Sequence, residues 1–207
     1  MTIIAAADGS ALGNPGPAGW AWYVDESCWA AGGWPESTNN RGELTALLEL
    51  LRATAHTGED LLVQADSQYV INSVTKWMKG WKRRGWRKAD GKPVLNDDLM
   101  KAIDEALVGR TVRFEWVKGH AGHVANERAD GLARAAATAF QRGTAVPTGP
   151  GWTRGGEASE QRRPAASSAA PGPAGDVVPG STAARRAALR AQQSDQQARL
   201  TAPGTLF

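Results

Sequence analysis

The stretch Ile3-Ile4-Ala5-Ala6-Ala7-Asp8-Gly9-Ser10 is a short apolar run that ends in a carboxylate. The stretch from Leu61 to Asp66 repeats this pattern. Short apolar runs bounded by polar residues are typical of buried strands. Each stretch therefore predicts a strand with an aspartate just past its end, held rigidly at the rim of a sheet.

Strand and helix patterns continue up to residue 140. Strands are predicted at 3–7, 19–24, 28–33, 61–65 and 111–117, and helices at 41–54, from about 67, at 96–107 and at 124–140. Asn96 and His123 are expected to cap the last two helices, and Cys28 and Trp116 are expected in the core. The order of elements indicates an α/β domain with a mixed five-stranded sheet and helices on both faces.

Two further carboxylates, Glu43 and Asp130, lie near the starts of helices that can face the same rim as Asp8 and Asp66. A single aspartate after a strand more often serves a turn or a helix cap. Four acids that converge on one place repel each other unless cations are present, and oxygen ligands suit hard divalent ions. The pattern favours a magnesium site.

A strongly basic segment lies between residues 76 and 92, where eight cations stand against the single acid Asp90. The cations are Lys76, Lys79, Lys82, Arg83, Arg84, Arg87, Lys88 and Lys92. They are interleaved with Trp77, Trp81 and Trp86. Cations bind phosphates and exposed aromatics pack on sugars or bases, so the segment predicts a nucleic-acid surface. The alternative is a solvated basic face whose tryptophans fill the core.

The composition changes after residue 140. The 207-residue chain carries a net charge of +3, and its last 67 residues hold eight arginines and four acids. Gly, Pro, Ala, Ser and Arg dominate there, so we expect residues 141–207 to be a disordered tail with a transient helix at 182–200. The tail could serve as an interaction arm whose partner the sequence does not identify.

The remaining features favour a cytoplasmic protein. Cys28 is the only cysteine, which indicates a reducing compartment, and the N-terminus lacks the pattern of a signal peptide. No apolar stretch is long enough to span a membrane. We expect a monomer with no membrane partner.

Five motifs in this order resemble the bacterial type 1 ribonuclease H family. They are Asp8-Gly9-Ser10 with 13–17, Thr38-Asn39-Asn40-Arg41-Gly42-Glu43-Leu44, Asp66-Ser67-Gln68-Tyr69-Val70, the basic stretch from Trp77 to Trp86, and Val117 to His123 leading into 126–130. The resemblance covers residues 1–140 and implies the ribonuclease H fold. It also implies cleavage of the RNA strand of RNA–DNA hybrids, which leaves a 5′-phosphate and a 3′-hydroxyl.

The resemblance also implies roles for individual residues. Asp8, Glu43, Asp66 and Asp130 would hold two Mg²⁺ ions, for which Mn²⁺ can substitute, and His120 would be a mobile proton shuttle. The substrate would be bound by two groups of side chains. One group is Asn14, Thr38, Asn39, Asn40 and Gln68, and the other is Trp77, Lys79, Trp81, Lys82, Arg83, Arg84, Trp86, Arg87 and Lys88.

Two other functions remain open at the level of sequence. The first is another enzyme of the same fold, such as a transposase, an integrase or a Holliday-junction nuclease, although these usually lack the basic Trp/Lys segment and the histidine loop. The second is a catalytically inactive hybrid-binding module, which the four intact acids argue against. Cleavage of an RNA–DNA hybrid, compared with double-stranded RNA and DNA, distinguishes them.

Overall fold

The computed structural model describes residues 1–154, and the tail from residue 155, including the predicted helix at 182–200, lies outside this part. The described strands form one five-stranded sheet. They are β1 (Thr2–Ala11), β2 (Gly16–Asp25), β3 (Cys28–Ser37), β4 (Asp60–Ala65) and β5 (Val112–Trp116). Their order is β3-β2-β1-β4-β5, with β1 to β3 antiparallel and β4 and β5 parallel to β1. The predicted mixed sheet is confirmed.

Helices cover both faces of this sheet, as predicted. They are α1 (Asn39–Ala53), α2 (Gln68–Asn72), a π-helical turn (Ser73–Trp77), α3 (Met78–Arg83), α4 (Asp97–Ala106) and α5 (Val124–Arg142). Within residues 1–154, none of these helices is long and apolar enough to cross a membrane.

The alternation of side chains along β1 separates two cores. Ile3, Ala5 and Ala7 join the large cluster that contains the leucines of α1, whereas Ala6 packs with Ala129 of α5. Successive side chains of a strand point to opposite faces of the sheet. Strand β1 is therefore buried between α1 on one face and α5 on the other, which places it at the centre of the fold.

Glycines allow the helices to approach the strands closely. A β-carbon on Gly9 of β1 would collide with the backbone of Gly42 and Glu43 in α1. A β-carbon on Gly42 would lie 2.7 Å from the carbonyl oxygen of Gly19 in β2. Gly42 lowers the intrinsic stability of its helix. The structure shows the reason for a glycine there, since a larger residue would push α1 away from the sheet.

Several local predictions need correction. Asp8 does not follow its strand but lies within it, because β1 continues to Ala11. Asn96 and His123 occupy the positions before α4 and α5, yet neither side chain donates or accepts a capping hydrogen bond. Asn96 instead adopts a left-handed backbone conformation with φ of 54°. Cys28 is fully buried, as predicted.

The folded region extends beyond the predicted boundary at residue 140. Helix α5 continues to Arg142, and residues 144–154, here called the C-terminal strap, run along the outer edge of β3. The amide of Ala31 donates to the carbonyl of Thr148 (3.2 Å), and that of Gly151 donates to the carbonyl of Trp29 (3.0 Å). Sequence composition did not reveal the strap, because much of it is held by backbone hydrogen bonds, which do not depend on residue type.

The far end of the strap is anchored by side chains. The Trp152 ring centroid lies 6.5 Å from that of Trp22 and 6.3 Å from that of His56. The Thr153 hydroxyl donates to the carbonyl of Ser27 (2.8 Å), and Arg154 pairs with Asp25. The strap thus covers an edge strand that would otherwise expose unpaired backbone groups.

We predict that the strap contributes measurably to stability. Truncation after Gly143 should lower the thermal midpoint by several degrees relative to truncation after Arg154, because it removes the Trp152 packing and the backbone bonds to β3. Trp152→Ala in the full chain should reproduce much of this decrease. Circular dichroism melts of the two truncations, the full chain and its Trp152→Ala variant measure the effect, and equal midpoints for the two truncations would contradict it.

Candidate active site

The structure brings the four predicted carboxylates to one region of the sheet. Asp8 lies in the central strand β1 and is only 5% exposed. Asp66 follows β4, the parallel neighbour of β1, while Glu43 and Asp130 approach from α1 and α5 on opposite faces. The four carboxylates are close enough that each of the other three raises the pKa of Asp8 through its charge.

Burial and like charge raise the pKa of two of these carboxylates, Asp8 and Glu43. Loss of water is the largest of the effects that together raise the pKa of Asp8 from 3.8 to about 8, and the charges of Asp66, Asp130 and Glu43 contribute the rest of the increase. Burial, together with the charge of Asp66, likewise raises the pKa of Glu43 to about 7. Both groups therefore hold a proton at neutral pH more readily than an exposed carboxylate does.

Two side chains hold the Glu43 carboxylate in place. The Asn39 amide donates to Oε1 (2.8 Å), and the Ser67 hydroxyl donates to Oε2 (2.5 Å). The same hydroxyl accepts from the amide of Val70 at the start of α2. The sequence pattern indicated Ser67 only as the start of a helix. Its contact with Glu43 joins two distant segments, and no local signal reveals it.

The chemistry of the four acids suits a divalent cation. Within residues 1–154, none of them pairs with a lysine, arginine or histidine side chain. A carboxylate cluster that is partly buried and has no cationic partners gains most from an added positive charge, and its oxygen ligands match Mg²⁺. In this same part of the chain, no three acidic, histidine or cysteine side chains are placed so that they could hold a metal ion as they stand. The residues fit the ion by ligand type and charge.

The loop after β5 carries the predicted shuttle residue to this region. His120 is exposed and has a left-handed backbone with φ of 54°. A β-carbon on its neighbour Gly119 would lie 2.5 Å from the Asp66 Oδ2 atom, so the loop passes directly beside that carboxylate. A larger residue at this position would require the Asp66 carboxylate to move.

Trp116 corrects a prediction and adds a residue to the rim of the site. It was expected in the core, yet it is 52% exposed. Its indole N–H donates to the backbone carbonyl of Asp66 at 3.0 Å. Its position in β5, directly opposite Ala65 of β4, explains this contact. A tryptophan near a strand end gives no sequence signal that separates the core from the rim.

The polar residues predicted to bind substrate are divided between two places. The carbonyl oxygen of the Asn14 side chain accepts from the amide of Asn39 (3.4 Å), and Thr38 accepts from Arg41 as the cap of α1. These residues and the exposed Asn40 surround the start of α1. Gln68 is exposed at the start of α2, two residues after Asp66. Both groups border the carboxylates.

The basic segment extends away from the site as α3 and the loop that follows it. Trp77 is 42% exposed, and its ring centroid lies 6.4 Å from that of Tyr69 and 5.7 Å from that of Trp81. Trp81 and Trp86 are only partly exposed and pack against the large core, so part of each ring fills the core, as the alternative interpretation expected.

The cations of this segment fall into two sets. In the first set, Lys82 pairs with Asp104 and Lys92 with Asp90, while Arg84 donates to the carbonyl of Arg87 and Arg87 donates to that of Gly91. In the described part of the chain, Lys76, Lys79, Arg83 and Lys88 form no ion pair. The charges of this second set face solvent and are not neutralised by an acidic side chain in the described part of the chain.

Comparison with known proteins gives a consistent result. The RNase H family model matches residues 2–138. A ribonuclease H from Tropheryma whipplei is 58% identical over 151 residues, which cover 73% of this chain and 94% of that protein. A ribonuclease H from Halorhodospira halophila is 50% identical over 129 residues, 61% of this chain and 86% of that protein.

Solved structures share the fold. A type 1 RNase H with the type 2 active-site motif superimposes with a TM-score of 0.58 at 30% identity, covering 75% of this chain and 79% of that one. The foamy viral protease-reverse transcriptase, solved with an RNA/DNA hybrid, gives a TM-score of 0.58 at 19% identity over 65% of this chain and 20% of that chain, a likeness of fold alone. On the family match and these relatives, the chain is an endoribonuclease of the ribonuclease H family, similar to the bacterial enzymes of that family.

Proposed function

We propose that this enzyme hydrolyses the RNA strand of RNA–DNA hybrids with two Mg²⁺ ions held by Asp8, Glu43, Asp66 and Asp130. One observation carries the proposal: Asp8 is buried beside three other acids, and none of the four has a cationic partner in residues 1–154. Bound Mg²⁺, or Mn²⁺ in its place, supplies a Lewis acid for phosphoryl transfer. The carboxylates that would hold the ions come from both faces of the sheet, since Glu43 lies in α1 and Asp130 in α5.

The reaction is a hydrolysis in which one bond forms and one breaks. The oxygen of a water molecule forms a bond to the phosphorus, and the bond from phosphorus to the 3′ oxygen breaks. The departing 3′ oxygen takes up a proton, so the products carry a 5′-phosphate and a 3′-hydroxyl. His120 is exposed next to Gly119 and Asp66, a position from which an imidazole can exchange protons with solvent.

The polar residues around the carboxylates would select RNA. Asn39 and Gln68 would face the minor groove, where the 2′-hydroxyl distinguishes RNA from DNA, and Asn40 lies beside them at the start of α1. Asn14 and Thr38 would contact a DNA phosphate near the same helix start. Support comes from their shared position, since all five lie at the beginnings of α1 and α2 or contact them.

The basic segment would hold the DNA strand away from the cleavage site. Its exposed cations favour phosphate contacts without base recognition, and the exposed face of Trp77 can pack against the bound DNA strand. The buried parts of Trp81 and Trp86 attach this segment to the core, which keeps the charges in a fixed direction. The cytoplasmic location and the monomeric state stay predictions from the sequence.

The first prediction tests the chemistry. With Mg²⁺, the protein should cleave a labelled RNA–DNA hybrid but neither double-stranded RNA nor double-stranded DNA, and a chelator should stop cleavage. Asp8→Asn should reduce turnover by at least about 100-fold while hybrid binding persists, because it removes a ligand charge and no substrate contact. Asp60→Asn, at the opposite end of β4, is the matched control. Near wild-type turnover of Asp8→Asn would refute the assignment.

The second prediction concerns stability in the absence of metal. A carboxyl group whose pKa is raised on folding stabilises the protein below its unfolded pKa and loses this contribution as the pH rises through its folded pKa. Asp8→Asn should therefore raise the thermal midpoint in chelator, with a gain that grows between about pH 4 and about pH 8. Melts across this range measure the gain, and a gain independent of pH would contradict the charge explanation.

The third prediction concerns substrate binding. Replacement of Lys79, Arg83 and Lys88 by Gln should raise KM for hybrid and reduce the slope of log KM against log salt by roughly 0.9 for each phosphate that is no longer neutralised. Turnover at saturation should change little. Replacement of Arg113, Arg134 and Arg142 by Gln removes three positive charges from β5 and α5 and controls for the change in net charge. Equal slopes for the two triple variants would show that the basic segment does not bind the substrate and is only a solvated basic face.

A further inference from the structure

The loop that carries His120 is fastened to α5 by a single side chain. The amide of Gly122 donates to the Oε1 atom of Glu127 at 2.8 Å. In the described part of the chain, this is the only hydrogen bond that a side chain makes to residues 119–122. Glu127 is exposed and lies in the first turn of α5, three residues before Asp130.

The charge of Glu127 is not used elsewhere in residues 1–154. Glu127 forms no ion pair there, whereas its neighbour Arg128 pairs with Glu26 of the β2–β3 turn at 2.8 Å. The His123 side chain, which precedes α5, forms no capping bond. A carboxylate that accepts from a backbone N–H makes a stronger bond than a neutral acceptor does. Glu127 therefore joins the first turn of α5 to the preceding loop, which the His123 side chain does not do.

The loop needs such a contact because its backbone is unusual. His120 has φ of 54° and Gly122 has φ of 87°, both in the left-handed region, and residues 120–123 are exposed. At one end, Gly119 lies against the Asp66 side chain. At the other end, the Glu127 bond joins Gly122 to the helix that carries Asp130. The two ends of the loop are thus fixed to elements that carry two of the four carboxylates.

We infer that Glu127 is a positioning residue, which holds the His120 loop against α5 so that the imidazole stays within reach of the carboxylate site. This inference rests on the proposed function of His120 as a proton shuttle. Release of the loop would leave the four carboxylates and the substrate surface in place. It would reduce the fraction of time that His120 spends near the reaction, which affects turnover rather than substrate binding.

Three variants test the inference in kinetics. Glu127→Ala should lower kcat on hybrid by roughly 5-fold, the effect of one ordinary hydrogen bond, with KM unchanged. Glu127→Gln keeps an acceptor oxygen and should restore most of the turnover. Glu115→Ala removes an exposed carboxylate from β5 that contacts Gln64 and not the loop, and it should behave as wild type.

A double-variant cycle separates positioning from a general structural effect. In a His120→Ala background, Glu127→Ala should cause no further decrease of kcat, because there is no imidazole left to position. An undiminished decrease in that background would overturn the inference, as would a KM change that accounts for the whole effect of Glu127→Ala.

A measurement on the free protein completes the test. In the full chain without metal or substrate, Glu127→Ala should shift the Gly122 amide resonance and increase fast backbone motion at residues 119–122, and Glu115→Ala should do neither. Unchanged Gly122 dynamics in Glu127→Ala would overturn the tether itself. If the wild-type protein failed to cleave hybrid, the proposed function would fail in the kinetic arm, while this arm would still report on the tether.

Discussion

The close contact between α1 and β1 is the constraint on which the rest of the site depends. Gly9 and Gly42 meet where a β-carbon on either residue would collide with backbone. This contact brings Glu43 to the strand that carries Asp8 and leaves Asp8 almost without solvent. On the opposite face, Gly19 allows the backbone of α5 to approach β2 in the same way, which brings Asp130 to the sheet. Small residues thus set the spacing of the charged ones.

This arrangement is electrostatically unfavourable without cations, and the surrounding structure must offset it. Burial and mutual repulsion raise the pKa of Asp8 and Glu43, so charging them opposes folding at neutral pH. The hydrogen bonds from Asn39 and Ser67 hold Glu43 against that repulsion. The leucine-rich core between α1 and the sheet supplies stability that offsets this cost. The packed core thus allows the fold to tolerate the electrostatic repulsion among the four carboxylates.

The cations of the basic segment differ in whether they bond within the protein or face solvent. Cations of the basic segment that bond internally, such as Arg84 and Arg87, shape the loop after α3, whereas Lys79 and Arg83 leave their charge available. Trp81 and Trp86 link this segment to the core, and the π-helical turn joins it to α2 beside the carboxylates. A rigid connection of this kind fixes the distance between the surface that would hold DNA and the site that would cut RNA. The C-terminal strap lies along the β3 edge of the sheet.

The sequence by itself determined the order and type of the elements, because apolar periodicity and turn residues are local signals. It also supplied the four acids and the basic segment, since residue type and spacing are visible without a structure. Tertiary packing alone decided that Asp8 lies inside its strand, that Trp116 is at the rim, and that Ser67 holds Glu43 and Glu127 holds the His120 loop. It also decided that residues 144–154 belong to the fold. Each of these depends on contacts between segments distant in the chain or on the direction in which a side chain leaves its element, and neither is encoded in local periodicity.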